Sequence, residues 1–317
     1  MRIGLDVMGG DYAPEKIISG AILAYKELKN SAEIVLFGPQ NIITELLKKH
    51  KTEPNCFSIE HCSEVIEMCE NPVKAFTTKT DSSIVKGFKL LTNNEIQGFT
   101  SAGNSGAVMV GATKVSKTIE GIIRPCISSL IPNTNNSFNV LLDVGINVDC
   151  APEQLYQFGI IGSIYANLIN NIPNPKVGLL NIGSEEIKGN RIVRQAFELM
   201  KGSNDFNFYG NIEGNEIFDI NKADVIVTDG FTGNVLLKQA ESFFNLAYQN
   251  SNENSFINKF NYELYGGTPV LGINHNLIIG HGISNDIAVK NMIIQTKKLH
   301  DTAILTNIKK MFRYEKN

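Results

Sequence analysis

Glycine recurs with aspartate or asparagine at five points where a short apolar run stops. Asp6-Val7-Met8-Gly9-Gly10-Asp11 is the first, and Ala102-Gly103-Asn104-Ser105-Gly106 the second. Asp143-Val144-Gly145-Ile146-Asn147-Val148-Asp149 follows the run through Leu141. Asn181 to Asn190, with Lys188 near its end, and Thr228-Asp229-Gly230-Phe231-Thr232-Gly233-Asn234 complete the set. Glycine lets backbone N–H groups approach an anion closely, and a helix starting just beyond it adds partial positive charge. Asn and Ser supply neutral donors that leave this field intact. The chemistry favoured is the holding of a phosphate or an oxyanion. One such junction reads equally well as a tight turn with a helix cap. Five on strand ends, where loops carry function, point to a site.

The runs before these junctions read as buried strands: Ile3–Val7, Glu33–Phe37, Gly98–Ser101, Cys126–Ile131, Asn139–Asp143, Val177–Ile182, Asn207–Tyr209 and Asp224–Thr228. Helical patterns follow many of them. One opens at Pro14, and others span Ile42–Leu47, Ser83–Thr92, Ser105–Ser116, Glu153–Asn170, Arg191–Lys201, Gly233–Ala247 and Asp286–Lys298. Strand followed by helix, repeated, predicts a largely parallel sheet covered on both faces. In such a sheet the ligand crevice lies at the carboxyl ends of the strands. Pro-, Gly- and Asn-rich stretches at Ile131–Ser137 and Tyr265–Gly272 read as turns between antiparallel strands, which makes the sheet mixed. Gln249–Phe260 reads as a loop.

Other chemistries lack their signatures. The chain has neither G-x-x-x-x-G-K-[ST] nor a G-x-G-x-x-G after a strand, which argues against ATP hydrolysis and NAD binding. It has no H-E-x-x-H, no paired-cysteine zinc spacing and no G-x-S-x-G elbow, so neither a metal nor a covalent Ser or Cys nucleophile is signalled. Cys56, Cys62, Cys69, Cys126 and Cys150 read as reduced thiols of a cytoplasmic protein.

Over 317 residues the net charge is −3, which gives no electrostatic reason to expect nucleic acid. With 43% hydrophobic and 19% charged residues the composition is that of an ordinary globular protein. Asp6 falls inside any would-be leader, so no secretory peptide is expected, and no apolar run approaches the roughly 18–20 residues of a spanning helix.

The ordered junctions resemble those of the phosphate acyltransferases of phospholipid synthesis (acyl carrier protein:phosphate acyltransferases). The matching segments are Leu5–Asp11, Ser101–Ala107, Gly121–Pro125, Leu141–Asp149, Pro152–Phe158, Val177–Asn190, Ala223–Lys238 and Tyr265–Gly282. The resemblance implies a single domain over residues 1–317 with a three-layer α/β/α fold. That fold is similar to isocitrate and isopropylmalate dehydrogenases and to phosphotransacetylase. It also implies a homodimer without a cofactor, and transfer of a long acyl group from acyl carrier protein to inorganic phosphate. The acyl phosphate would then feed a glycerol-3-phosphate acyltransferase. Ile146 stands where the family usually has a small residue. The stretch from Lys238 to Tyr262 looks shorter than in many relatives, which can carry a membrane-contacting helical pair there. Phe243, Phe244, Leu246, Ala247, Phe256, Ile257 and Phe260 are the apolar residues left for weak peripheral contact or for core packing. A coenzyme A-dependent phosphate acetyl- or butyryltransferase, and a non-catalytic membrane-surface scaffold, are the alternative readings.

Phosphate at neutral pH is already largely a dianion and needs no strong base to attack a thioester. On this reading Gly103, Ser105 and Gly106, with Gly230, Gly233 and Asn234, hold phosphate, and Lys188 is the counter-charge. Asn104, Asn147 and Asn234 are candidate oxyanion or phosphate donors. Gly9 and Gly10 join the substrate- or phosphate-binding set, and Asp6 and Asp229 orient loops or hold a cation. His281, within Gly280-His281-Gly282, is the candidate acid for the departing thiol. Lys74, Lys79, Lys86 and Lys89, together with Arg124, form the candidate docking face for an acidic carrier protein.

Overall fold

Apolar runs with β-branched residues become strands here, and amphipathic runs become the helices that cover them. The computed structural model describes residues 1–135, 137–249 and 256–314. The chain begins with β1 (Arg2–Asp6), α1 (Glu15–Leu28), β2 (Glu33–Gly38), α2 (Gln40–Lys49) and β3 (Ser58–His61). Next come α3 (Pro72–Thr78), α4 (Ser83–Thr92), β4 (Gly98–Ser101) and α5 (Ser105–Val110), which runs on into a π-helical turn, Gly111–Ser116. β5 (Cys126–Pro132), β6 (Phe138–Leu142), α6 (Pro152–Asn170), β7 (Lys176–Leu180) and α7 (Arg191–Lys201) follow. The remaining elements are β8 (Asn207–Ile212), β9 (Val225–Val227), α8 (Gly230–Gln249), β10 (Gly267–Leu271), β11 (Asn276–Gly280), α9 (Asp286–Asp301) and α10 (Ile304–Tyr314).

Two compact units form, one from Met1–Ile119 with Tyr262–Leu305 and the other from Glu120–Asn261 with Thr306–Asn317. In the first unit the strand order is β3-β2-β1-β4-β11-β10, parallel except for the β10–β11 pair. Neighbouring residues of β4 face opposite layers. The Phe99 ring packs on Phe88 of α4 with centroids 5.6 Å apart, whereas a side chain on Gly98 would meet Thr296 of α9. In the second unit the order is β5-β6-β9-β7-β8, parallel except for the β5–β6 hairpin. Val225 of β9 lies against Gly162 of α6. Ile226, the next residue, joins a core with Ile131, Leu141, Val144, Ile212 and Ile217, on which Leu236 and Leu237 of α8 pack. Each unit is thus helix, sheet, helix.

The predicted strands and main helices are found, with boundary shifts. The Ile131–Ser137 turn joins the antiparallel pair β5 and β6, and Asn133 Oδ1 accepts from the Asn135 and Ser137 amides at its centre. Tyr265–Gly272 is not a turn but mostly β10, in which Pro269 pairs with Ile278. Helix α8 starts at Gly230, because the Asp229 carboxylate accepts the Thr232 amide at 2.7 Å and caps it. The expected loop Gln249–Phe260 begins with the last residue of α8 and ends in a 3-10 turn, Ile257–Phe260, where Phe260 packs on Phe218 with centroids 5.7 Å apart. Residues 250–255 lie outside the described residues. β3, α3, β11 and α10 were not predicted.

Helix α4 crosses the sheet at Gly87, where an added Cβ would stand 2.2 Å from the Phe99 ring. Alanine ordinarily gains about 1 kcal/mol over glycine in a helix. Here overpacking wins. Gly87→Ala is expected to lower unfolding free energy by about 1–3 kcal/mol in urea denaturation. A stability gain would show that the helix does not press on Phe99.

Candidate functional site

In the first unit the loops after β1, β4 and β11 touch. The Asp6 carboxylate is buried and accepts Ser101 Oγ at 2.6 Å and the Met8 amide at 3.1 Å. Ser101 Oγ in turn accepts the Gly103 amide at 3.0 Å. A Cβ on Gly9 would lie 2.5 Å from both Asp6 Oδ2 and the Gly103 nitrogen, so the approach requires glycine. Beyond Gly10, the Asp11 amide donates to Gly282 O at 2.7 Å. Asp6, Gly9, Gly10 and Gly103 are therefore brought together, with Gly282 beside His281. The His281 ring sits edge-on to Tyr262 with centroids 4.8 Å apart. Burial pushes the Asp6 carboxyl above its ordinary value of 3.8, and hydrogen bonds from Ser101, Ser83 and Met8 offset this only in part.

Asn104 is a brace in this geometry. Its Oδ1 accepts the Ala107 amide at 3.0 Å, capping α5. Its Nδ2 donates to the carbonyls of Glu67, Met68 and Glu70 at 3.0–3.3 Å, pinning the loop before α3. Neither amide proton is left for an oxyanion. Ser105 is exposed in the first turn of α5, and Gly106 lies against Pro72 of α3. Asn71, Asn190 and Asn285 cap their helices in the same manner.

The second unit has its own cradle, around a residue to which the sequence assigned no role. Asp143 is fully buried and accepts from the amides of Ile127 (2.9 Å), Ile146 (3.2 Å) and Asn147 (2.7 Å) and from Asn147 Nδ2 (2.9 Å). Asn147 Nδ2 also donates to Pro125 O at 2.8 Å, next to the exposed Arg124. Asn147 O accepts the Gly230 amide at 2.7 Å, which ties this loop to the start of α8. A Cβ on Gly233 would fall 1.9 Å from Asp143 O. Asn234 Nδ2 reaches Val144 O at 3.3 Å and keeps one proton toward solvent. Asn147, Asp229, Gly230, Gly233 and Asn234 thus converge on Asp143. Asp229 also accepts Thr232 Oγ1 at 2.9 Å and serves the helix start. An aspartate at a strand end looks the same in sequence whether it caps or organises; only the four donors separate the cases.

Lys188 is exposed on the loop after β7, a strand adjacent to β9. Asn181 Nδ2 donates to Lys188 O at 3.1 Å and closes that loop. Near the Asp143 cradle, Cys150 Sγ lies 3.6 Å from Asn147 O, and burial with the nearby Asp143 and Asp229 charges pushes its thiol up to about 12. Such a thiol is a poor nucleophile at neutral pH. Among the described residues no group of three or more His, Cys, Asp or Glu is placed to hold a metal ion.

The lysine face differs from expectation. Lys79 Nζ is 2.6 Å from Glu70 and bonds Val65 O, while Lys86 Nζ is 2.7 Å from Asp81 and 3.9 Å from Glu60. Lys86, with Ser63 donating from side chain and backbone, holds the Asp81 carboxyl well below the usual carboxylate range. Glu70 and Asp81 neutralise two of the four lysines, leaving Lys74 and Lys89 exposed.

A family model described as "Fatty acid synthesis protein" matches residues 1–307. The phosphate acyltransferase of Dictyoglomus turgidum is 42% identical over 318 residues, covering 94% of each chain. That of Acetivibrio thermocellus is 42% identical over 331 residues, covering 98% of this chain and 96% of the relative. Among solved structures, a phosphotransacetylase from Streptococcus pyogenes superposes with TM-score 0.64 at 17% identity, covering 95% of this chain and 94% of the other. A branched-chain phosphotransacylase from Enterococcus faecalis V583 gives 0.61 at 10% identity, with 94% and 98% covered. At that identity the likeness establishes the three-layer fold alone.

A carboxyl with a raised folded value binds its proton more tightly in the fold than in the unfolded chain. Asp6 therefore supports the fold at low pH, and that support is lost as pH climbs from 3.8 through the folded value. The stability of Asp6→Asn relative to the parent should accordingly rise between about pH 4 and pH 7 in chemical denaturation. A difference that stays flat with pH would exclude the raised carboxyl.

Proposed function

The chain belongs to the phosphate acyltransferase family, and from that footing we propose that it transfers a long acyl group from acyl carrier protein to inorganic phosphate for phospholipid synthesis. A phosphate oxygen attacks the thioester carbonyl, the carbon–sulfur bond breaks, and the phosphate proton is balanced by protonation of the carrier thiolate. The products are acyl phosphate and free carrier protein. The identity of 42% over nearly the whole chain to proteins with this name carries the reading. The cradle at Asp143 supports it, since it preorganises backbone N–H groups at the start of a 20-residue helix without a covalent nucleophile. Phosphate is assigned to the Gly230–Asn234 turn, with Lys188 as counter-charge, and thiol protonation to His281.

Docking of the acidic carrier is assigned to Lys74, Lys89 and Arg124, the cations of the expected face for which no ion pair is found among the described residues. A homodimer, hand-off of acyl phosphate to a glycerol-3-phosphate acyltransferase, and weak peripheral membrane contact through Phe243 of α8, half-exposed at 53%, belong to the same proposal. No helix of the described residues is long and apolar enough to cross a membrane.

Turnover of palmitoyl-acyl carrier protein should depend on phosphate, with free carrier and acyl phosphate appearing together by mass spectrometry. Charge reversal at Lys74, Lys89 or Arg124 should raise KM for this donor alone. Activity restricted to short acyl-coenzyme A donors would move the assignment to a phosphate acetyl- or butyryltransferase, and turnover with neither would leave the scaffold reading.

Side-chain roles separate in the kinetics. Lys188→Ala should raise KM for phosphate about tenfold or more. His281→Gln should lower kcat by about 10²-fold. Parent-like kinetics in either variant would remove that residue's role.

A further inference from the structure

The second unit carries an unusual surface beside the Asp143 cradle. Strands β6, β9 and β7 run parallel and adjacent, with Leu142 opposite Val227 and Val227 opposite Leu179. Their carboxyl ends therefore share one edge, and the cradle, the start of α8 and the Asn181–Asn190 loop all leave from it. That edge carries large apolar side chains in solvent: Ile182 and Ile187 at 80% exposure each, Phe231 at 61%, Val148 at 60% and Val235 at 52%. A lone exposed aliphatic residue is ordinary, but several around one polar site mark a binding surface.

The two isoleucines are held out rather than frayed. Asn181 Nδ2 binds Lys188 O at 3.1 Å and Asn211 Nδ2 binds Glu185 O at 3.0 Å, while Lys201 clamps Glu186 at 2.6 Å. Phe231 and Val235 are four residues apart on α8 and so share one side of its first turns.

We propose that this rim, Ile182 and Ile187 with Phe231 and Val235, holds the acyl chain of the substrate and selects for its length. The inference rests on the acyl-transfer reading above. With the thioester carbonyl at the Asp143 cradle, an apolar chain leaves across the ends of β9 and β7. Two strand spacings separate β6 from β7, about 10 Å. An acetyl group does not bridge that distance, whereas a long chain crosses it and reaches both isoleucines. The polar cradle and the apolar rim then divide one amphipathic substrate between them.

Two readouts test this. The protein contains no tryptophan, so Phe231→Trp introduces a single reporter. Palmitate should shift its emission to the blue and butyrate should not. Adding Ile182→Ser and Ile187→Ser should weaken palmitate binding about tenfold or more. In turnover, Ile182→Ser/Ile187→Ser should lower kcat/KM for palmitoyl-acyl carrier protein by a similar factor and leave butyryl-acyl carrier protein unchanged, with an unaltered melting temperature. Unchanged palmitate affinity and an unchanged palmitoyl-to-butyryl ratio would overturn the rim. Loss of binding to phosphatidylglycerol vesicles with that ratio intact would assign the isoleucines to a lipid surface and equally overturn it. Long-chain binding that depends on the isoleucines, in a protein without phosphate-dependent turnover, would sink the acyl-transfer reading while the rim stands.

Discussion

The buried carboxylate of Asp143 is the constraint around which the second unit's site is built. Burying a polar group without hydrogen-bond partners costs free energy, and four N–H donors satisfy this one. Those donors come from β5 and from the loop beyond β6, and Asn147 passes the connection on to Gly230 at the head of α8. Gly233 must be glycine because the helix start then presses on Asp143 O. Strand, loop and helix therefore cannot move independently, and the backbone N–H groups at the start of α8 are fixed before any ligand arrives.

The first unit meets a related problem differently. Asp6 has fewer donors, and one of them, the Ser101 hydroxyl, is also an acceptor for Gly103. The chain of bonds aligns two glycine turns but offsets burial only in part, which is why the Asp6 carboxyl shifts upward. Both units use the same physical device: a buried acid at a strand end, glycines that allow loops to touch, and amides that brace the backbone.

Much of this was legible in sequence. Strand-helix alternation and the five junctions identify the layers and the edge where the loops gather, because apolar runs and glycine act locally. What stayed hidden depends on which partners the fold brings together. Asparagine both caps helices and donates to anions, and only the carbonyls of Glu67, Met68 and Glu70 assign Asn104 to bracing. Lys79 and Lys86 looked like a basic face until Glu70 and Asp81 came beside them. β10 was hidden by Gly267 and Pro269, which read as turn residues although the strand pairs with β11. The isoleucines at 182 and 187 looked like ordinary loop residues until the bracing amides held them in solvent.

Bracing by Asn104 and Asn147 changes what mutagenesis of such a site measures. If the donors to an anion were these side-chain amides, removing one would delete a single interaction of about 10²–10³ in rate. Both amides are instead committed to carbonyls and to Asp143, so neither side chain keeps a donor for an anion. Replacing Asn147 would act indirectly, by freeing Asp143 and the head of α8 to relax. Stability and activity are therefore coupled at these positions. By contrast, Lys188, Ile182 and Ile187 project from a loop braced at its base, where a side chain can change while the backbone behind it stays in place. On the proposed reading, chain-length selection by Ile182 and Ile187 can therefore change while the backbone at the head of α8 stays in place.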